Sequence, residues 1–462
     1  MSDIVLGTCE ITAWRGRDEL IVTLPKKWQA YLRKEQGREE MVLRAGNRRV
    51  TVRVSYQSRQ DVQMTVAVRR ALLLPLGAVS VRAVEGELHF GPFVGVYALP
   101  SDEPGNLFGE MTSLLQDMTK IAALEGVALY VFLPGEIDWK AGVARCYAYK
   151  DKEGKQSWVR TKRPLPDLIL PKIMGKPLRW RERIRFDLGQ IGQRVPCGTF
   201  SMATGHKWEV HRTLMQQDAT RRFLPETRLV RSPEDVEELL ARHRIVYVKP
   251  CYGTQGYSIY RLSLKAQHVR IQYTKHKRTL THQLKRSGEK WRSFLRKRFC
   301  GRRSFLVQQG IELLTDRGGG PVDFRWLIQK DGQNRWEITA RVARVGNFDA
   351  ITTNLHTGGR AVHAPDLLRQ NGFDEEKSLR QVLDKLDEAS LLIARQIEEK
   401  AGRIGELGID FGVTKRGDVY MIEINPRPGR QMLKQTSSEV RALSLQRNLE
   451  YAKYTTGFAP PT

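Results

Sequence analysis

Hydrophobic positions follow several different rhythms along this chain. Up to about residue 91 they come in short runs broken by turns: LIVTLPKKW, EEMVLRAG and NRRVTVRV, then QMTVAVRRALLLPLG, AVSVRAVEG and ELHFGP. Each series reads strand, basic connection, strand, tight turn, strand. This weak internal repeat predicts a β-rich N-terminal domain of the size of a small pseudo-symmetric barrel. From Pro92 the runs become continuous. FVGVYAL (93–99) and VALYVFLP (127–134) have the unbroken apolar character of buried parallel strands, and DLILPKI (167–173) adds a further strand. Between the first two, Leu107, Met111, Leu114, Leu115, Met118 and Ile121 share one helical face, with Gly126 as the stop. The β-α-β order predicts a doubly wound α/β unit.

Beyond residue 200 the pattern becomes α+β. KWEVHRTLMQQ predicts a helix opening at Lys207 and leading to LPET. Strands are expected at RIVYVKP (244–250), SFLVQQGI (304–311), VDFRWLIQ (322–329) and WEITARVARV (336–345). A long amphipathic helix carries Leu379, Val382, Leu383, Leu386, Ile393 and Ile397 on one stripe, with Gly402 just past its end. GIDFGVT and VYMIEIN are the closing strands.

These closing strands carry the first candidate chemistry. Glu423 and Asn425 are two apart and so face the same side of a strand. The turn from Lys415 to Asp418 brings Asp410 beside them. Two carboxylates and a neutral oxygen converging on a sheet suit Mg²⁺ carrying a nucleotide phosphate, with Ile422 and Ile424 expected to face the other way. Each residue alone reads more simply as a solvated strand polar. Lys249 ends an apolar strand before a loop holding Gly253, Thr254 and Gly256, where a lysine and backbone N–H groups can meet phosphate oxygens. The loop is not a Walker A sequence. Arg325, Arg341 and Arg344 lie on strands among apolar neighbours, where arginines usually hold carboxylates or phosphates. Arg341 and Arg344 are three apart and should face opposite sides. His356, in TTNLHTGG, reads as a turn residue.

Charge changes the picture more than composition does. With 77 Lys and Arg against 51 Asp and Glu, the net charge is +26, which predicts affinity for acidic partners. Between Lys275 and Arg303 there are twelve Lys or Arg and one acid, Glu289. That stretch reads either as a solvated helical face or as a polyanion contact. It lacks the aromatic interleaving of a single-strand platform, and Trp291 and Phe294 sit at helical spacing as core anchors; nucleic acid is therefore a weaker expectation. No apolar run is long enough to span a bilayer. MSDIVLGTCE has neither a basic nor an apolar signal region, so a cytosolic protein is expected. Five scattered cysteines without a CxxC pair argue for reduced thiols, Cys251 among them.

The order of these pieces resembles the ATP-grasp superfamily over roughly residues 93–430, closest to its carboxylate–amine ligases. The resemblance implies Mg-ATP bound between two lobes. It matches Lys207 and Lys249 to phosphate-binding lysines, followed by a flexible glycine loop (Gly253, Thr254, Gly256). It matches LVQQGI to the strand whose backbone reads adenine, with Gln309 and Ile311 as contacts, and Asp323 to the ribose acid. Arg344 and Asn354 to Gly359 match its R…NLHxGG pattern, and Asp410, Glu423 and Asn425 its metal trio. Arg344 and Arg325 are the candidate catalytic residues.

Within the superfamily the whole chain resembles YheC/YheD-type endospore coat-associated proteins. The carriers are GPFVGVYALP, YVFLPGEIDW, RPLPDLIL, GHKWEVHRTL with LPET, and VQQGIEL. The expected division is then a β-rich domain (1–91), a doubly wound pre-ATP-grasp domain (92–200), the two-lobed ATP-grasp domain (201–440) and a C-terminal helix and tail (441–462). Two departures stand out. Tyr257 and Ser258 replace a glycine of the loop. Gly408 stands where some of these ligases place an arginine, for which Arg341 or Arg427 could substitute. Two functions are implied: a ligase joining an unidentified carboxylate and amine through an acyl phosphate, or a nucleotide-binding scaffold of the spore coat. In both, the positive charge could meet acidic coat components.

Overall fold

The structure, a computed structural model, describes residues 3–15, 19–32, 40–152, 155–173, 178–201, 203–253, 258–275, 278–348, 353 and 359–460. The chain forms two compact units. One comprises Met1–Ser201, Lys330–Arg335 and Ala442–Thr462; the other comprises Met202–Gln329 and Trp336–Arg441.

In the first unit, β1 (Ile4–Trp14), β2 (Ile21–Pro25), β3 (Glu40–Ala45), β4 (Arg48–Gln57), β5 (Val62–Thr65), β6 (Gly77–Val84) and β7 (Glu87–Gly91) close into a barrel in the order β1-β5-β2-β4-β3-β7-β6. The repeat seen in the sequence is physical. A 3-10 turn (Lys26–Ala30) follows β2, and helix α1 (Val66–Leu72) follows β5, so each series has strand, basic connection and hairpin in the same order. Glu85 and Gly86 both adopt positive φ in the β6–β7 turn, as a two-residue hairpin of this hand requires.

The α/β part of this unit contains β8 (Phe93–Tyr97), α2 (Thr112–Leu124), β9 (Ala128–Phe132), β10 (Ile137–Asp138), β11 (Val143–Lys152), β12 (Lys155–Pro164), β13 (Leu168–Pro171) and α3 (Arg181–Arg194). β13, β8 and β9 are parallel neighbours, as the continuous apolar runs predict. The hairpin β11–β12 was not expected; it extends the sheet antiparallel beside β9. Val22 and Val81 of the barrel and Phe93, Tyr130 and Phe132 of the sheet belong to one hydrophobic core. Pro92 thus marks a change of architecture within one core, where the sequence suggested two domains. The C-terminal helix packs here as well: Leu445, Leu449 and Tyr451 are buried in one cluster with Val94, Leu115 and Leu168.

The second unit has two sheets. α4 (Lys207–Leu214) and α5 (Asp218–Arg221) lead to the first, formed by β14 (Thr227–Val230), β15 (Ile245–Pro250), β16 (Tyr260–Lys265), β17 (His268–Lys275), β18 (Arg278–Lys285) and β19 (Phe305–Gln309) in the order β14-β19-β15-β16-β17-β18. α6 (Pro233–His243) and α7 (Glu289–Phe299) cover one of its faces. Val236, Leu240, Trp291 and Leu295 are buried there against Val246, Val248 and Ile271. Trp291 and the partly buried Phe294 are the anchors their spacing predicts.

The second sheet, in the order β22-β21-β20-β23-β24, comprises β20 (Val322–Lys330), β21 (Trp336–Val345), β22 (Arg360–His363), β23 (Glu406–Val413) and β24 (Val419–Asn425). The helices here are α8 (Ala364–Gln370), α9 (Glu376–Ala401), α10 (Gln431–Thr436) and the start of α11 (Ser438–Thr455). Alternation along the strands sorts the residues. Phe324, Trp326, Ile328, Ile409 and Phe411 pack on the stripe of α9 formed by Leu379, Val382, Leu386 and Ile393. Asp323, Arg325 and Asp410 are left for the other face.

Trp326 is fully buried and donates from its indole nitrogen to Asp387 Oδ1 on α9 at 2.7 Å. Trp326→Ala is expected to cost about 3–5 kcal/mol, measured as a lowered urea midpoint. A loss below roughly 1 kcal/mol would show that the sheet does not depend on this contact with α9.

Candidate functional site

The second unit holds a cavity of roughly 410 Å³. One wall begins at α4. Gly205, at φ +87°, leads into His206, whose imidazole Nδ1 accepts from the Glu209 backbone N–H at 3.4 Å while the Glu209 carboxylate accepts from the His206 N–H at 3.0 Å. This reciprocal cap places Lys207 at the first helical position. The Lys207 ammonium lies 2.8 Å from Glu423 Oε1 and donates to the Gly253 carbonyl at 2.8 Å. One lysine thus joins α4, the loop after β15 and β24.

Lys249, near the end of β15, is buried and donates to Gln308 Oε1 at 2.7 Å. Gln308 in turn donates to Thr227 Oγ1 at 3.0 Å, so three strands fix one ammonium. Burial is the main reason its pKa is pushed down to about 8. The neighbouring Lys207 charge adds to this, while Glu423 and Asp410 oppose it. His211, on the same wall, is stacked on Trp208 and kept neutral near pH 7 by burial, its pKa lowered to about 4.

Beside the cavity the polar face of the second sheet carries a buried chain of charges. Arg344 clamps Asp323 through Nε at 2.6 Å and Nη2 at 2.5 Å, and Thr353 also donates to Asp323. Arg344 Nη2 is 2.9 Å from Asp410 Oδ2 as well. Arg325, paired with Asp410 across the strands, donates to both of its oxygens, at 2.6 Å through Nη2. Burial alone would raise the Asp410 pKa, but Arg325 and Arg344 outweigh it and hold it below the usual carboxylate range. Burial likewise works against the charge on Arg344, yet Asp323 and Asp410 raise its pKa further.

The residues expected at the site therefore fall into distinct groups. Lys207, Lys249, Gly253, Glu423 and Asn425 line one cavity. Asp410, Arg325, Arg344 and Asp323 lie behind it, their charges already spent on one another. Asn425 Nδ2 donates to Asp410 Oδ2 at 3.3 Å, linking the two groups. Gln309 turns away: its side chain accepts from the Glu226 N–H at 3.1 Å, and neither it nor the half-buried Ile311 is in the cavity wall. Thr254, Gly256, Tyr257, Asn354 and His356 lie outside the described residues. Arg341 pairs with Asp387 of α9 at 2.9 and 2.6 Å, on the face opposite Arg344; it is no substitute at the site. A register shift between Asp410 and Phe411 breaks the alternation of β24. Ile424 packs on the core, but both Ile422 and Ile424 also border the cavity, against the expectation that they face the other way.

Gln308, Thr227 and His211 escaped the sequence reading. For Gln308 half of a signal was present, the other half being the pairing of β15 with β19. Gln309 and Gln308 are adjacent on a strand and must face opposite sides, and the one sharing a face with Lys249 is the one able to reach it.

For a magnesium ion the donor set fits in part. Asn425 keeps its carbonyl oxygen, and the Lys207 ammonium already marks a cation position on Glu423. Asp410 Oδ2 is taken up by both arginines and Asn425, and Oδ1 by Arg325, so a cation there would compete with two guanidinium groups. One or two carboxylates with phosphate oxygens are the usual complement of this ion, so Glu423 and Asn425 would hold it. Two lysines beside the N-terminus of an eight-residue helix fit a polyphosphate.

The sequence matches the model of the YheC/D like ATP-grasp family across residues 198–455, more than half of the chain. The chain belongs to that family. This ATP-grasp chain is similar to the endospore coat-associated protein YheD of Bacillus subtilis (strain 168), with 26% identity over 418 residues, covering 88% of this chain and 89% of that protein. The endospore coat-associated protein YheC of the same organism is 23% identical over 340 residues, covering 70% and 86%. Among solved structures, the ATP-grasp ligase PsnB complexed with minimal precursor has a TM-score of 0.46 at 14% identity, covering 78% of this chain and 98% of that one. D-alanyl-alanine synthetase A from Vibrio cholerae has a TM-score of 0.45 at 12% identity, covering 80% and 98%. Among the described residues of this ATP-grasp protein, no helix is long and apolar enough to cross a membrane.

The depressed pKa of Lys249 has a signed consequence. Below about pH 8 the folded protein must carry a buried ammonium. Between there and the ordinary lysine value of about 10.4 the unfolded chain binds more protons, so stability rises with pH. Lys249→Met lacks this term. In denaturant titrations its stability relative to wild type should be greatest near neutrality and decline as pH rises through that window. A difference independent of pH would show that the lysine is not desolvated.

Proposed function

We propose that this protein binds Mg-ATP in the cavity of its second unit and acts as an ATP-dependent carboxylate–amine ligase. The observation that carries the reading is the convergence of Lys207, Lys249 and Glu423 on one cavity, delivered by three separate elements. Membership of the ATP-grasp family supports it.

Bound there, ATP would supply the phosphoryl group that activates a carboxylate, and magnesium would neutralise charge between the phosphates. Lys207 and Lys249 would hold phosphate oxygens, Lys249 oriented by Gln308. Glu423 and Asn425 would hold the ion. Arg344 and Arg325 are the candidates for steadying charge that develops at the transferred group, which requires one of them to loosen its hold on Asp410. The substrate carboxylate oxygen bonds to the terminal phosphorus as ADP leaves. The amine then bonds to the acyl carbon of the resulting acyl phosphate, phosphate leaves, and the amine proton passes to solvent. Association with the endospore coat is part of the same proposal, carried over from YheD and YheC.

A second reading, nucleotide binding by a coat scaffold without turnover, is favoured by one observation: Asp410 is already bound by two arginines. Calorimetry with Mg-ATP on wild type, Glu423→Ala and Lys249→Ala tests the site. Affinity is expected to fall at least about tenfold in each variant, near 1.4 kcal/mol. An intact wild type that binds no ATP would sink both readings. Binding with no ADP release over a panel of carboxylates and amines would favour the scaffold.

A further inference from the structure

The first sheet of the second unit carries a row of polar residues running across all six strands. The pairing registers place Thr227 opposite Gln308, Gln308 opposite Tyr247, Tyr247 opposite Arg261, Arg261 opposite Gln272, and Gln272 opposite Thr281. Thr227 and Gln308 line the cavity, and Thr281 lies on β18, the free edge. By strand alternation the row faces away from α6 and α7, whose side of the sheet holds Val246, Val248, Leu262 and Ile271. Its members pass from buried at Gln308, through half-buried at Tyr247, Arg261 and Gln272, to exposed at Thr281. At about 4.8 Å per strand, Gln308 and Thr281 are roughly 19 Å apart. A second row, Ser263, Arg270 and Gln283, runs beside it.

The charges along this path lack acidic partners. In the same lobe Glu226 takes His243 at 2.7 Å together with Arg242, and Glu238 takes Arg228 at 2.7 Å. Arg261, Lys265, Arg270 and Lys285 lie on this face by their registers, and among the described residues none of the four forms an ion pair. Arg261 donates to Gln272 at 2.7 Å, and the buried Nε of Arg270 has no partner. Lys265 and Lys285 stand exposed in a third row with His268.

We propose that this face is a docking track for an extended acidic polypeptide, which it leads from the β18 edge to the nucleotide cavity. Charge complementarity names the partner: unpaired guanidiniums and ammoniums select carboxylates. Continuity of the row with Gln308, the residue that fixes Lys249, gives the track its end point. Nucleic acid fits less well. The only aromatic side chain in the row is Tyr247, and Tyr273 is stacked on His282 on the other face, away from any incoming base. The role of the docked chain as the source of the carboxylate rests on the ligase reading; the docking itself does not.

The test is fluorescence anisotropy of a labelled oligoglutamate peptide, without nucleotide, on the full chain. Saturable, salt-sensitive binding is expected. It should weaken at least about tenfold in Arg261→Glu/Arg270→Glu and in the exposed pair Lys265→Glu/Lys285→Glu on the same face, the second guarding against a folding defect in the first. Lys377→Glu/Arg380→Glu on α9 should bind as wild type does. No saturable binding, or equal loss in all three variants, would overturn the proposal. So would displacement of the peptide by oligothymidylate at lower concentrations than by unlabelled oligoglutamate. Measured beside ATP calorimetry, the two readings separate. Peptide binding without ATP binding sinks the ligase and keeps the track, and the converse sinks the track alone.

Discussion

Two acids and two arginines buried side by side impose a condition that the ATP-grasp unit must meet. Asp323, Arg344, Asp410 and Arg325 lie on adjacent strands of one sheet, each nearly closed off from water. Any one of them left alone would carry the penalty of an uncompensated buried charge, several kcal/mol. Their alternation partners Phe324, Trp326 and Ile409 are committed to the core under α9. A slip of one residue between β20 and β23 would drive charge into that core and turn aromatics outward. The ion chain and the hydrophobic layer thus enforce the same register. That register holds Glu423 opposite Asp410 and places it where Lys207 can meet it.

The same condition bears on what the cavity can bind. The four buried charges cancel, so the field in the cavity is set by what remains in its wall: Lys207 and Lys249 against Glu209 and Glu423. An anion entering there meets Lys249 held by the neutral amide of Gln308 and Lys207 held by the Gly253 carbonyl and the Glu423 carboxylate. A neutral partner is exchanged more readily than a carboxylate, so Lys249 is the more readily available of the two.

Much of this was legible in the sequence where a rule of periodicity applied. The continuous runs at 93–99 and 127–134 gave parallel buried strands, and the stripe of α9 was read residue by residue. The two-residue spacing of Glu423 and Asn425 put both on the cavity wall. Legibility failed where partners lie far apart in sequence. Nothing near residue 92 says that the barrel and the sheet share a core, because that depends on where Phe93 and Tyr130 are packed. Arg325 and Arg344 were expected to hold carboxylates or phosphates, but Asp410 and Asp323 could not be named as those carboxylates because they become neighbours only on folding. Alternation put one of Gln308 and Gln309 on the face of Lys249, but which one depends on the pairing of β15 with β19.

Gly408 is not required by its backbone, which avoids the left-handed region. It is required by space: a Cβ there would stand 2.9 Å from Pro428 Cβ and 3.2 Å from the Cδ of Arg325. The side chain of Arg325 crosses the strand where residue 408 has none. The two positions therefore form one heritable unit. A larger residue at 408 evicts the arginine, and a smaller one at 325 leaves a void and an unbalanced acid. In descendants of this chain they should drift together or not at all.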